Sequence, residues 1–149
     1  MSDLYNREKA YHHLDQIRTL NEKINMLIDE RNDLLLMSTT TGSFDYSSER
    51  VQHSPSLDAK FVITMEKYYD VEKLIDAKID EYVEMKHKIT EEISQLHKPE
   101  HIRILKMVFL EGKSVAEVVK SRNWRWKISK THNVFNDALD NFYEVVLKK

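Results

Sequence analysis

The chain has no cysteine, and only two glycines and two prolines among its 149 residues. The lack of thiols excludes a disulfide framework, thiol catalysis and the zinc sites that depend on thiolate ligands. Scarce Gly and Pro remove the turns that punctuate a sheet of short strands. The four breakers are Gly42, Pro55, Pro99 and Gly112, so residues 1–41, 56–98 and 113–149 hold no strong helix breaker. No apolar run approaches the roughly 18 residues of a membrane span. The first stretch, MSDLYNREKAYHH, lacks the apolar segment of a signal peptide. The expectation is a cytoplasmic protein with no membrane partner.

Glu, Lys, Leu, Ile, Met and Ala fill the intervals and favour helix. Hydrophobic residues make up 41% and charged residues 32%, with a mean hydropathy of −0.59. That suits a modest core with much wet surface. The expected fold class is all-α, a long helical hairpin or coiled coil followed by a C-terminal helix-turn-helix. Residues 1–98 form the long-helix half, with a loop near 38–56, and residues 99–149 form the helix-turn-helix half. Charge divides the same way. The first 98 residues hold 13 Lys/Arg against 19 Asp/Glu, and the last 51 hold 10 against 6. An overall charge of −2 therefore conceals an acidic front and a basic back.

A first helix is expected over about Asp3–Met37, with Leu14, Ile17, Ile24, Ile28 and Leu35 along one seam and Leu20, Leu27 and Leu34 widening it. STTTGSFDYSSERVQHSPS then reads as a polar connection. Ser54-Pro55 reads as an N-cap with proline at the first helical position. The second helix, about Ser56–Leu96, carries Phe61, Met65, Tyr68, Ile75, Ile79, Tyr82, Ile89, Ile93 and Leu96 in alternating four- and three-residue steps. Only Glu72 and Lys86 interrupt this heptad, and such a seam requires a coiled-coil partner. The partner is either the first helix folded back or a second copy of the chain.

Pro99 opens a third helix, EHIRILKMVFLE, with Ile102, Leu105, Phe109 and Val108 inward, and Gly112 ends it. Ser114 and Glu117 in SVAE match a capping box. The fourth helix, Ser114 to about Arg122, buries Val115, Val118 and Val119. The fifth follows Asn123-Trp124 and runs through Val146, its inward face reading Ile128, Thr131, Phe135, Leu139, Phe142 and Val146. Helix, Gly turn, short capped helix, second turn and basic helix is the order of a helix-turn-helix unit, whose last helix enters the major groove.

That last turn and helix hold KSRNWRWKISKTHNVFN, with five Lys or Arg and no carboxylate between Glu117 and Asp137. Lys120, Arg122 and Arg125 fall in or before the turn. Lys127, Ser129, Lys130 and Asn133 fall on the open side of the helix start. Cations there neutralise phosphates and release counterions, while Ser and Asn hydrogen-bond to backbone or bases. Against this stands the plainer reading of a solvated charged face. Trp124 and Trp126 read as apolar plugs anchoring the turn, with base stacking as the other reading.

MVFLEGKSVAEVV resembles the LRYLEG-S-x-E-E-I-A stretch of sigma-factor region 4 and its phage relatives, and NDALDNFYEVV resembles the ending of that region's last helix. SSERVQHSPSLD is similar to a V-Q-x-S-x-x-x-D block in small Gram-positive phage regulators of the ArpU and RinA type. The resemblance covers about residues 10–145. It implies a sequence-specific activator or sigma-like regulator in the cytoplasm of an infected bacterial host. Two departures stand out. Val118-Val119 replaces Ile-Ala, and the registers from Gly112 and from Ala138 differ by two residues, implying a longer turn around Asn123–Arg125.

Other chemistry finds little footing. His12 and His13 point to different helix faces, Pro99 interrupts the His97–His101 spacing, and His132 has no nucleophile near it in sequence. No glycine-rich phosphate loop or metalloprotease motif is present. No metal, cofactor or catalytic residue is expected, and the chain reads as a non-enzyme. The expected partners are double-stranded promoter DNA, host RNA polymerase as a further candidate, and a second copy through the coiled coil. The alternative is a protein–protein adaptor that works through its acidic half, with a vestigial helix-turn-helix.

Overall fold

The structure, a computed structural model, describes residues 2–47 and 55–148, with side chains for 3–38 and 59–148. Among the described residues every regular element is helical and none is a strand, so the fold is all-α. The elements are α1 (Ser2–Ser47), α2 (Pro55–Ser94), α3 (Pro99–Leu105), α4 (Val115–Val119) and α5 (Ile128–Phe142). α3 continues into a wider-wound turn over Lys106–Leu110, and α5 does the same over Tyr143–Leu147. No described helix is long and apolar enough to cross a membrane.

The polar connection expected to begin near residue 38 does not end α1, whose backbone stays helical to Ser47. A lone glycine such as Gly42 costs a helix only about 1 kcal/mol relative to alanine, and Thr and Ser are merely weak formers. Proline is the residue that forbids continuation, and the first one is Pro55. It occupies the first position of α2, as the Ser54-Pro55 reading requires; Ser54 itself, with residues 48–53, lies outside the described residues.

Contacts divide the chain into two compact units, Met1–Leu20 with Tyr82–Lys149, and Asn21–Glu81. The larger unit therefore takes in the start of α1 and the end of α2, whereas the charge pattern suggested a boundary near residue 98. Its core joins Ala10, Leu14 and Ile17 of α1 to Ile89 and Ile93 of α2 and the adjoining Leu96. Ile104, Leu105, Met107, Val108 and Phe109 enter from α3, Val118 from α4, and Val134, Ala138, Leu139 and Phe142 from α5. Each fully buried Leu, Ile or Phe contributes about 1.5–3 kcal/mol relative to exposure. The two long helices run antiparallel here, with His13 Nε2 2.8 Å from Glu92 Oε1. Tyr11 meets Phe109 edge-on at 5.4 Å, and the Arg18 guanidinium lies over the same Phe109 ring.

In the smaller unit Ile24, Val71 and Ile75 are buried, and Leu27, Ile28, Leu34 and Tyr68 half-buried. The heptad reading needs correction here. Phe61 and Ile79 are exposed, as is Leu35 of α1. The buried series along α2 is Val71, Ile75, Ile89 and Ile93, with Lys78, Tyr82 and Met85 half-buried between them. Val71 takes the place expected at Glu72, because an apolar side chain one position away can turn into the seam while the carboxylate stays wet.

Candidate nucleic-acid interface

The order α3, α4, α5 depends on two turns of unlike construction. The first turns at Gly112, whose φ of +72° lies in the left-handed region that side chains avoid. The expected capping box follows. Glu117 N–H donates to Ser114 Oγ at 3.2 Å, and Ser114 N–H donates to Glu117 Oε1 at 3.1 Å. Those bonds from Ser114 hold the Glu117 carboxyl below the usual carboxylate range. α4 is shorter than expected, ending at Val119, with Val118 buried while Val115 and Val119 are half-buried.

The second turn spans residues 120–127, longer than the three or four residues usual between such helices. Asn123 adopts φ +71°, which asparagine tolerates better than most residues, and its carbonyl accepts a bond from Arg103 Nη1 at 3.1 Å. Trp124 folds back into the core at 9% exposure. Its Nε1–H donates to Thr131 Oγ1 at 2.8 Å, and the Thr131 hydroxyl donates onward to the Lys127 carbonyl, also at 2.8 Å. This relay satisfies two buried polar groups and ties the turn to the first turn of α5. Trp126 stands edge-on to Trp124 at 5.2 Å and remains half-buried. Arg125 lies over its ring at 4.8 Å and Lys130 at 5.9 Å.

On α5 the inward side is Thr131, Val134, Ala138, Leu139 and Phe142, with Phe135 half-buried. Ile128, expected inward, is 48% exposed. Val134 and Ala138 supply the three- and four-residue steps from Thr131 to Phe142; Ile128, three residues before Thr131, begins the same side but lies at the very start of the helix and stays exposed. Lys120, Arg122, Arg125, Lys127, Ser129, Lys130 and Asn133 are all exposed. The structure brings Lys127, Ser129, Lys130 and Asn133 together at the start of α5, and gathers Arg125 and Lys130 about Trp126. Lys120 and Arg122 lie in the preceding turn. Among the described residues no carboxylate lies within ion-pair distance of any of these five cations. They are exposed charges whose only described internal contacts are those of Arg125 and Lys130 with the Trp126 ring.

Comparison with known proteins finds no matching family model, no matching curated protein and no matching solved structure. The site must speak for itself.

Two residues of this region, Arg103 and Arg7, escaped the sequence reading, and a third, Ile128, was expected inward but is an exposed apolar side chain at the start of α5. Arg103, on α3, braces the turn through Asn123. Arg7, near the start of α1, forms a forked pair with Asp140 on α5, Nε to Oδ1 at 3.0 Å and Nη2 to Oδ2 at 2.9 Å. Periodicity could not have flagged Ile128, which keeps three-residue spacing to the buried Thr131 and is exposed at the end of the helix. Nothing local in sequence could have matched Arg7 to a residue 133 positions away.

Histidines contribute no cluster. His132 is exposed, while His101 is buried with its Nδ1 3.3 Å from Asn141 Nδ2. Burial holds the His101 imidazole below its ordinary value. Among the described residues no three His, Asp or Glu side chains assemble as a metal site.

Proposed function

We propose that the protein is a DNA-binding transcriptional regulator, a late-gene activator or sigma-like factor of the phage and prophage type, which grips promoter DNA through α5 and the turn before it. One observation supports the reading: five exposed cations, Lys120, Arg122, Arg125, Lys127 and Lys130, fall within the 120–127 turn and the first turn of α5, and among the described residues none has a carboxylate partner. Most of the described Lys and Arg side chains lie outside ion pairs, so what sets this stretch apart is the absence of any carboxylate between Glu117 and Asp137. A polyanion recovers that missing interaction by exchanging condensed counterions for the fixed charges. Ser129 and Asn133 offer hydrogen bonds beside them, and the exposed Ile128 offers an apolar contact suited to a thymine methyl group. The Trp124–Thr131–Lys127 relay holds the start of α5 at a fixed angle to its turn. The sigma region-4 and ArpU/RinA resemblance points the same way.

A second reading has its own support. In the Asn21–Glu81 unit Phe61, Val62, Ile63, Tyr69, Leu74 and Ile79 are exposed, on a stretch with 7 Lys/Arg and 13 Asp/Glu. Such an acidic, apolar-studded surface suits a protein partner, which under the first reading is a second copy of the chain or host RNA polymerase. Under the adaptor reading it is the whole function. A gel-shift experiment with DNA from upstream of the protein's own operon separates the two. Retardation by the intact protein that disappears in Arg125→Ala/Lys127→Ala/Lys130→Ala supports DNA binding. Equal retardation by the two proteins refutes this contact surface.

A further inference from the structure

Beside the cation row lies a cavity of about 250 Å³, lined by Pro99, Glu100, Arg103, Asn123, Trp124, Arg125 and Trp126. It sits between the start of α3 and the 120–127 turn, so it is distinct from the outward side of α5. Its walls have an unusual composition. Two indoles meet edge-on, two arginines line the cavity beside them, and Glu100 is the one acidic residue among its lining. Arg103 is fixed by its bond to the Asn123 carbonyl, and Arg125 rests on the Trp126 ring.

We infer that this cavity receives one unpaired nucleobase of the bound nucleic acid, a proposal that rests on the DNA-binding reading. A planar π-faced ring suits a cavity lined by indole and arginine side chains, since both indole and guanidinium planes stack on bases. The carboxylate of Glu100 accepts hydrogen bonds from ring or exocyclic N–H groups on a base edge, which a phosphate could not offer. Lys127 and Lys130, on the same side of the turn as Trp126, hold the adjoining phosphates. A simple anion site would not place a carboxylate in its wall, and a purely apolar ligand would not need two arginines. The cavity therefore suits a nucleotide unit, and the cation row next to it suits a nucleotide that belongs to a strand.

The test compares three probes by fluorescence anisotropy and by quenching of the tryptophan emission: a fully paired duplex, the same duplex carrying one unpaired thymidine, and free thymidine monophosphate. The wild-type protein is expected to bind the unpaired-base duplex about tenfold more tightly than the paired one, the magnitude of one lost stack. Trp126→Ala should erase that preference, bringing the two duplexes to equal affinity whatever the loss from freeing Arg125 and Lys130, and Trp126→Phe should keep most of it. Circular dichroism checks that both variants are folded. Equal wild-type affinity for the two duplexes overturns the inference and leaves the DNA-binding reading standing. Failure to bind either duplex overturns both. Binding of the free mononucleotide as tightly as the unpaired-base duplex, with Trp126→Ala abolishing both, assigns the cavity to a free nucleotide and overturns the strand-bound form of the proposal.

Discussion

Removing Arg125, Lys127 and Lys130 together by alanine substitution has a computable consequence for the salt dependence of duplex binding. All five cations of the row are exposed and none has a carboxylate partner among the described residues, so each is available to a phosphate. Five phosphate contacts give a slope of log K against log salt of about −4.5, and two give about −1.8. Between 50 and 200 mM salt the wild-type protein should then lose about 500-fold in affinity and the triple variant only about 12-fold. Anisotropy titrations with a fluorescent duplex of arbitrary sequence measure both slopes, because the phosphate contribution does not depend on base identity. The variant keeps Trp124, Thr131 and the inward side of α5, so its helical circular dichroism and urea midpoint should match wild type. A slope unchanged by the three substitutions would show that these cations do not touch phosphate, and the argument from unpaired charge would collapse.

Two further outcomes follow from the larger unit. Thr131→Val removes the acceptor for Trp124 Nε1–H inside the core, leaving a buried donor unsatisfied; urea denaturation should register a loss of about 1–3 kcal/mol. His101 titrates, when folded, below the unfolded histidine value of about 6.5. Between those two values the unfolded chain holds the extra proton, so stability should fall as pH drops through that window. Lys98 reinforces the lowering while Glu100 and Asp137 oppose it. Comparing urea midpoints at pH 7.5 and 5.5 for wild type and His101→Gln checks the effect; an equal fall in both proteins would assign it to other histidines.

The helical character of the chain was legible because so few residues could stop a helix, and the capping box was legible because its two members lie three residues apart. The exposed cations of the 120–127 turn and of Lys130 were legible for a related reason: a carboxylate-free run offers them no local partner that could draw them inward. What failed was the inference of register from apolar identity alone. Phe61 and Ile79 are as apolar as the residues that displaced them, and only the packing of neighbouring helices decides which positions turn inward. The end of α1 was misjudged because a cluster of weak formers was read as a break, although its summed cost stays small without proline. The joining of residues 1–20 to 82–149 depends on contacts more than 100 residues apart, such as Arg7 with Asp140, which no local pattern encodes.

That last pair bears on the interface itself. Asp140 is half-buried on α5, seven residues beyond Asn133, and towards a polyanion bound at the helix start its carboxylate would be repulsive. Arg7 covers it with two charge-assisted bonds, and the attraction raises the hold of the guanidinium on its own proton. Both side chains keep about a third of their exposure, so the pair adds at most about 1 kcal/mol to folding. Its greater effect should be on binding. Arg7→Ala uncovers one negative charge and should weaken duplex affinity severalfold at 50 mM salt, less at 200 mM, where the screening length falls to well under 10 Å. Asp140→Asn in the Arg7→Ala background removes the uncovered charge without rebuilding the pair. Restored duplex affinity in that double variant identifies the effect as electrostatic. Continued weakness would instead mean that Arg7 acts by holding α5 in place, and that the first turns of α1 position the DNA-binding helix.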